Sequence, residues 1–239
     1  MILVPVIDLK LGTVVHARAG ERRRYRPIRS RLCRGSGPIE VIGALLGVHP
    51  FAALYVADLD RIEGEGDNLP ALTAIRRAYP DLALWVDSGL ASARDHLAWQ
   101  QRGLGRAVVG TESLESAADW QRIGAKARAT DEPILSLDFR GNAFLGPAAL
   151  AAQPALWPRQ IIVMSLDRVG GSSGPDVIRL AAILRRAGKR TVFAAGGVRN
   201  FADASRLADM GIAGALVASA LHDGRLGPAD IARLAGATS

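Results

Sequence analysis

Four segments in the first half of this 239-residue chain recur, in the same order, in the second half. Three of the matches have an offset of 107 or 108 residues, and the first match, which aligns Asp8 with Asp138, has an offset of 130. A repeat of this length predicts two equivalent half-domains. The matched segments are 4–12 with 134–142, 57–64 with 164–171, 86–95 with 194–203, and 103–114 with 211–222.

Short apolar runs alternate with amphipathic stretches along the chain. Runs such as ALYVA are apolar throughout, as in parallel strands covered on both faces, whereas AADWQRIGAKA repeats its apolar residues at helical spacing. We expect one domain, an α/β protein with a closed (β/α)8 TIM barrel and a two-fold repeat of half-barrels, approximately 1–130 and 131–239. An open doubly wound sheet is the alternative, although its halves would not need matching functional ends. The predicted strands are 2–8, 53–58, 82–87, 106–110, 133–138, 160–166, 191–195 and 214–218.

Polar residues collect where the predicted strands end, which is where such barrels carry their chemistry. Asp8 and Asp138 end equivalent strands, so we expect them to face each other across the mouth of the barrel. One could then act as general base and the other as general acid, if one stays ionised and the other holds a proton. Capping of strand ends is the structural alternative. Further candidates for substrate contact are Asp58 (with Asp60), Asp87, Ser165 and Asp167.

Paired glycines, Gly196 and Gly197, follow the seventh predicted strand, and a helix begins shortly after them. Residues without a side chain let backbone N–H groups approach a phosphate, and a helix N-terminus favours negative charge. Ser219 ends the eighth strand beside them. Because a phosphate site after strands 7 and 8 recurs in barrels, we expect these three residues to bind phosphate.

The first half repeats this arrangement imperfectly. Gly89, Gly110 and Thr111 are suited to a second phosphate, but Asp87 stands where the second half has Ala195. A carboxylate beside a phosphate is repulsive. This half therefore either binds an uncharged or cationic group, or turns Asp87 away.

The positive charge of the chain is confined to one segment. Residues 18–34 contain eight Arg and one Glu, an excess that equals the net charge of +7 of the whole chain. The larger offset of the first repeat places these extra residues in the first βα loop. The segment predicts an electropositive loop that attracts an anionic small molecule. Codon composition is the neutral alternative. Nucleic acid, which would give steep salt dependence, is weaker because Tyr25 is the single aromatic residue there.

Several classes of protein are excluded by what the sequence lacks. A single cysteine, Cys33, excludes a disulfide framework and a Cys-based zinc site. The four histidines, His16, His49, His96 and His222, lack the spacing of metal ligands, and no dinucleotide fingerprint is present. The N-terminus has no signal-peptide pattern, and no apolar run approaches the ~18 residues of a membrane span. We expect a cytoplasmic protein with no metal, no nucleic acid and no membrane partner.

Together these motifs resemble the HisA/HisF family of histidine-biosynthesis barrels over nearly the whole chain. VADLD (56–60) is similar to the second-strand signature of the isomerase branch, which rearranges the bisphosphorylated aminoaldose ProFAR to an aminoketose without a cofactor. The resemblance implies that Asp8 is the base and Asp138 the acid. It assigns one phosphate to Gly196, Gly197 and Ser219, and the other to Gly89, Gly110 and Thr111. The motifs are VIDLKLGTVVHA, LYVADLDRIEG, VVGTESL, LSLDFRG, SGPD, AAGGVRN and GALVASAL.

The chain also departs from the isomerase pattern. The third predicted strand is followed by DSGLA (87–91), which lacks the Gly-rich turn and the Arg that are usual in the isomerases. The loop after the sixth predicted strand lacks their Asp-Gly, and the loop after the fifth lacks their Trp. RYRPIRSRLC (24–33) is similar to the loop of a HisA-like branch that accompanies one-carbon cofactor genes in methylotrophs. One alternative is therefore a paralogue acting on a different, possibly monophosphorylated substrate, with Asp87 contacting a cationic or hydroxyl group. Another is a non-catalytic phosphate-binding or partner subunit.

Overall fold

A computed structural model describes residues 1–18, 20–127 and 131–236, and within them eight parallel strands close into a barrel. Closure follows from the first strand, which pairs with the last through Ile2 and Gly214 and with the second through Val6 and Tyr55. The predicted (β/α)8 barrel is confirmed, and every predicted strand ends within two residues of its expected bounds. The barrel strands are β1 Ile2–Lys10, β4 Ala53–Asp58, β5 Ala83–Asp87, β6 Arg106–Gly110, β7 Ile134–Arg140, β9 Gln160–Ser165, β10 Thr191–Ala195 and β11 Gly214–Val217.

Helices cover the outside of the barrel and start at polar caps. Ser92 and Ser116 accept hydrogen bonds from the third backbone N–H of their helices, which stabilises each start. In the described residues the longest helices have 11 residues, and none is long and apolar enough to cross a bilayer. The helices are α1 Pro38–Val48, α2 Leu59–Glu63, α3 Leu69–Ala78, α4 Ala93–Arg102, α5 Ala117–Lys126, α6 Ala148–Ala152, α7 Val177–Ala187, α8 Phe201–Asp209, α9 Ser219–His222 and α10 Pro228–Gly236.

The barrel interior is filled by large apolar side chains. Trp85 and Phe193 pack edge to face with ring centroids 5.0 Å apart. Gly214 makes room for them, since a Cβ built there would lie 2.5 Å from the Phe193 ring. With Tyr55 and Ile162 also buried in this cluster, the lower barrel is a packed core, so the functional site is confined to the carboxyl ends of the strands.

Two short hairpins mark the internal repeat. β2 Thr13–His16 folds back on β1, and β8 Ala143–Leu145 folds back on β7. Asp8 faces Val15 in the first hairpin, and Asp138 faces Leu145 in the second. The two aspartates therefore occupy equivalent places in the two halves. The expected boundary at 130 adjoins residues 128–130, which lie outside the described residues.

The arginine-rich segment lies over the barrel mouth. It contains a short 3-10 turn, Arg22–Arg24, and a third short strand, β3 Arg26–Pro27, which pairs with β2. The loop before this turn touches the loop after β9: a Cβ built on Gly170 would lie 2.1 Å from the Ala17 carbonyl oxygen. Of the predicted segment 18–34, Ala19 lies outside the described residues.

Candidate active site

A cavity of about 1030 Å³, measured to its open mouth, lies at the carboxyl ends of the strands. The carboxyl ends of the strands are where barrels of this kind place their ligand sites. Its wall is part apolar and part polar, and loop residues 20–25 contribute to its rim. Six of the site residues predicted from the sequence line it: Asp8, Asp87, Asp138, Gly196, Gly197 and Ser219.

Three other predicted contact residues do not line this cavity. Asp58 is fully buried and accepts hydrogen bonds from the backbone N–H groups of Arg61 and Asn68. Ser165 is buried, with its Oγ 3.4 Å from the Arg179 guanidinium. Asp167 is exposed in a 3-10 turn that follows β9. Asp58 and Ser165 therefore bond groups of the chain itself, and Asp167 faces solvent.

Asp8 directs its carboxyl group into the cavity from the end of β1. In the part of the chain that the structure describes, no group donates a hydrogen bond to this carboxyl. Burial raises the pKa of Asp8 to about 7, although the nearby Arg22 guanidinium opposes the shift. Asp8 can therefore accept or release a proton near neutral pH.

Asp138 is held more firmly. Its carboxyl accepts hydrogen bonds from Ser136 Oγ at 2.6 Å and from the Glu112 backbone N–H at 3.2 Å. Its own backbone N–H donates to Thr111 Oγ1 at 2.9 Å. Burial raises the pKa of Asp138 to about 8 against the hydrogen bond from Ser136, and the charges of Asp87 and Glu112 add to the rise. Asp138 therefore keeps its proton to a higher pH than Asp8.

Asp87 forms a third carboxyl beside this pair. It accepts hydrogen bonds from the Gly89 backbone N–H at 3.1 Å and from Tyr55 Oη at 3.2 Å. Burial raises its pKa to about 6. A Cβ built on Gly110 would lie 2.8 Å from Asp138 Oδ2 and 3.6 Å from Asp87 Oδ2. Gly110 thus leaves the space in which the two carboxyl groups converge.

The residues predicted to bind a second phosphate lie outside the cavity, unlike those predicted to bind the first phosphate. Gly89, Gly110 and Thr111 do not line the cavity, and Thr111 is fully buried. Gly89 and Thr111 instead bond to Asp87 and Asp138 as described above. Their role in binding a second phosphate stays a sequence prediction.

Gly196 and Gly197 line another part of the cavity, and their backbone geometry excludes side chains. Gly196 and Gly197 have φ angles of +97° and +88°, in the left-handed region that favours glycine. A Cβ on Gly197 would lie 2.3 Å from the Gly174 carbonyl oxygen. Gly170 and Gly171 line the same side of the cavity. The wall here is backbone, with the Ser219 hydroxyl beside it and 3.3 Å from His16 Nε2.

Sequence reasoning did not individually single out several polar residues that line the cavity, among them Arg22, Glu112 and Arg140. Arg22 reaches Glu112 with its Nη2 2.6 Å from Oε1. The arginine cluster was visible in the sequence, but nothing in it shows which arginine turns inward. Lys10, the repeat equivalent of Arg140, pairs with Glu63 instead. Among the described residues, no three His, Cys, Asp or Glu side chains are arranged to hold a metal ion.

The raised pKa of Asp8 predicts a cost in stability. Between pH 4 and 7 the folded protein retains a proton at Asp8 that the unfolded chain has released, so stability falls as pH rises through this window. We expect Asp8→Asn to raise the free energy of unfolding at pH 8 by roughly 2–4 kcal/mol and to leave it nearly unchanged at pH 4. Urea unfolding at both pH values measures this, and equal effects at both would contradict it.

The family of this chain follows from comparison with known proteins. The sequence model of the family described as "Histidine biosynthesis protein" matches residues 2–227. The chain belongs to this family. The match confirms the HisA/HisF resemblance, because it covers nearly every strand and helix of the barrel.

Three proteins with similar sequences illustrate the range of its relatives. An uncharacterized protein of Methanocaldococcus jannaschii is 29% identical over 230 residues, covering 95% of each chain. The other two are named 1-(5-phosphoribosyl)-5-((5-phosphoribosylamino)methylideneamino) imidazole-4-carboxamide isomerase, which is the full name of ProFAR isomerase. That of Halorhodospira halophila is 30% identical over 257 residues, covering 98% of this chain and 97% of the relative. That of Cereibacter sphaeroides is 32% identical over 244 residues, covering 95% of each. These names and the family confirm the expectation of an isomerase-like enzyme.

Proposed function

We propose that this protein isomerises a phosphorylated aminosugar from the aldose to the ketose form, with Asp8 and Asp138 as an acid–base pair. The observation that carries the proposal is that both carboxyl groups share one cavity with the backbone wall of Gly196 and Gly197. The relatives named as isomerases support the same class of reaction.

The proposed steps assign one proton transfer to each aspartate. Asp138 donates its proton to the ring oxygen of the sugar as the bond from that oxygen to C1 breaks, and the nitrogen lone pair forms an iminium at C1. Asp8 removes the proton from C2, which gives an enaminol. The C2 hydroxyl then loses its proton and C1 gains one, so that the aminoketose forms without net uptake or release of protons.

The two pKa values support this assignment. Asp8, with a pKa of about 7, ionises before Asp138, with a pKa of about 8. A carboxylate and a carboxylic acid then coexist near neutral pH, as acid–base catalysis requires.

The phosphate of the substrate is proposed to bind at the glycine side of the cavity. Gly196, Gly197, Gly170 and Gly171 offer backbone without side chains, and Ser219 offers a hydroxyl. Backbone N–H groups of this kind bind phosphate oxygens in other proteins. The arginine-rich loop at the rim would attract an anionic substrate to the mouth.

A screen of phosphorylated aminoaldoses tests the function. We expect one of them to raise the melting temperature by several degrees at saturation, by mass action, and to be converted to an aminoketose that NMR detects. Complementation of a strain that lacks ProFAR isomerase then separates the substrates: rescue indicates ProFAR, whereas failure with retained phosphate binding indicates the paralogue. Binding without any turnover would contradict the proposal and favour a non-catalytic role.

A further inference from the structure

The two halves of the barrel provide an internal comparison between the two places where a phosphate could bind. The offset of 108 residues aligns each residue of one place with its equivalent at the other. Two of the six pairs differ in charge, and in both cases the first half has the acid and the second half has alanine. The pairs are Asp87 with Ala195, Ser88 with Gly196, Gly89 with Gly197, Gly110 with Ala218, Thr111 with Ser219, and Glu112 with Ala220.

In the first half, carboxylates of the chain already use the groups that a phosphate would need. The Gly89 backbone N–H donates to Asp87 Oδ1, and the Glu112 backbone N–H donates to Asp138 Oδ2. Thr111 is fully buried, and its Oγ1 accepts from the Asp138 backbone. A phosphate here would have to displace two carboxylates and lie against their charge.

The second half has none of these obstacles. Gly197 and Ser219 both line the cavity, whereas their equivalents Gly89 and Thr111 do not. Ala195 and Ala220 carry no charge, and Ala195 adds only a methyl group to the wall. One end of the cavity can therefore accept an anion, and the other is lined by acids.

The acidic end already holds a positively charged group of the protein itself. Arg22 of the first loop is ion-paired with Glu112 at 2.6 Å, and its charge also acts on Asp8 and Asp87. The Arg22 guanidinium thus acts on Glu112, Asp8 and Asp87 at this end, and Arg140 lines the same cavity. The carboxyl groups of Asp8, Asp87, Glu112 and Asp138 outnumber these two arginines, so this end keeps an excess of acidic groups.

We infer that the substrate carries a single phosphate, bound at the glycine end, and presents an amine or hydroxyl group to Asp87 and Glu112 at the other end. Asp87 and Glu112 are then the residues that determine specificity, because their charge rejects a second phosphate. The inference rests on the proposed function for the orientation of the substrate, and it names the class of substrate within that function.

Matched probes test the inference without any need for turnover. Ribulose 5-phosphate and ribulose 1,5-bisphosphate differ only by the second phosphate, and their affinities are measured by calorimetry at pH 8. In the native protein we expect the bisphosphate to bind no more than threefold tighter than the monophosphate. In the double variant Asp87→Ala/Glu112→Ala, which gives the first half the alanines of the second, we expect the ratio of the two affinities to shift at least about tenfold toward the bisphosphate.

Two further variants make the result specific. Asp87→Asn/Glu112→Gln keeps the size of both side chains and removes their charge, so it should shift the ratio in the same direction even if the alanine variant folds poorly. Glu115→Ala/Asp209→Ala removes two exposed acids outside the cavity and should leave the ratio unchanged. A native preference above tenfold for the bisphosphate, binding of neither probe, or an unchanged ratio in both cavity variants would overturn the inference. Because only binding is read, failure here is distinct from failure of the acid–base proposal.

Discussion

Asp8→Asn is expected to lower kcat for the phosphorylated aminosugar at least about a thousandfold. The amide cannot take up the proton from C2, and in the described residues no other group bonds to the Asp8 carboxyl that could take over this task. Asp138→Asn should cause a loss of similar size, because the amide cannot protonate the ring oxygen. Steady-state turnover with the substrate found in the screen measures both.

Controls separate chemistry from folding. Asp81→Asn changes an exposed carboxyl outside the cavity and should leave turnover unchanged. The stability gain expected for Asp8→Asn at pH 8 means that its loss of activity cannot be ascribed to unfolding. If Asp8→Asn kept more than a tenth of the native kcat, the assignment of Asp8 as the base would be wrong.

The same pair fixes the expected pH profile of the native enzyme. Activity should rise as Asp8 ionises around pH 7 and fall as Asp138 loses its proton around pH 8, which gives a narrow bell-shaped curve. Loss of one limb in each Asn variant that retains measurable turnover would support the two roles.

Gly197→Ala is expected to lower phosphate affinity about a hundredfold and to destabilise the fold by about 3–5 kcal/mol. The new Cβ would lie 2.3 Å from the Gly174 carbonyl oxygen and would impose a side chain on a φ of +88°. The Gly196–Gly197 backbone must then move away from the loop at Gly174. Such a shift changes the wall to which the phosphate is proposed to bind.

Gly211→Ala is the matched control for this substitution. Its φ is +85°, but a Cβ there meets no atom within 4 Å. It should therefore carry only the cost of the left-handed backbone, about 1–2 kcal/mol, with unchanged phosphate affinity. Urea unfolding and titration with ribulose 5-phosphate measure the two effects. Equal behaviour of the two variants would show that the close contact at Gly197 has no role.

The barrel, its internal repeat and the ends of its strands could all be predicted from the amino-acid sequence. Apolar runs covered on both faces and helical spacing are local patterns, and the repeat at 108 residues showed that the two halves match. Since strand ends in such a barrel meet at one rim, Asp8, Asp87 and Asp138 could be predicted to lie near each other. The structure brings all three into one cavity.

Which polar groups remain available to a ligand depends instead on how the loops fold over the strand ends. Asp58 and Asp87 both end strands. The Asp58 carboxylate accepts hydrogen bonds from the backbone N–H groups of Arg61 and Asn68, whereas Asp87 lines the cavity. Arg22 is one of eight arginines in segment 18–34, and its side chain points into the cavity and pairs with Glu112. The loop that precedes Arg22 packs against Gly170 through Ala17. The partner of Arg22 is 90 residues away in sequence, and Asn68 is ten residues away from Asp58 but reaches it only through the fold of the loop between them. A side chain's bonding partners are set by what the folded loops bring near it, and no periodic pattern in the sequence records them.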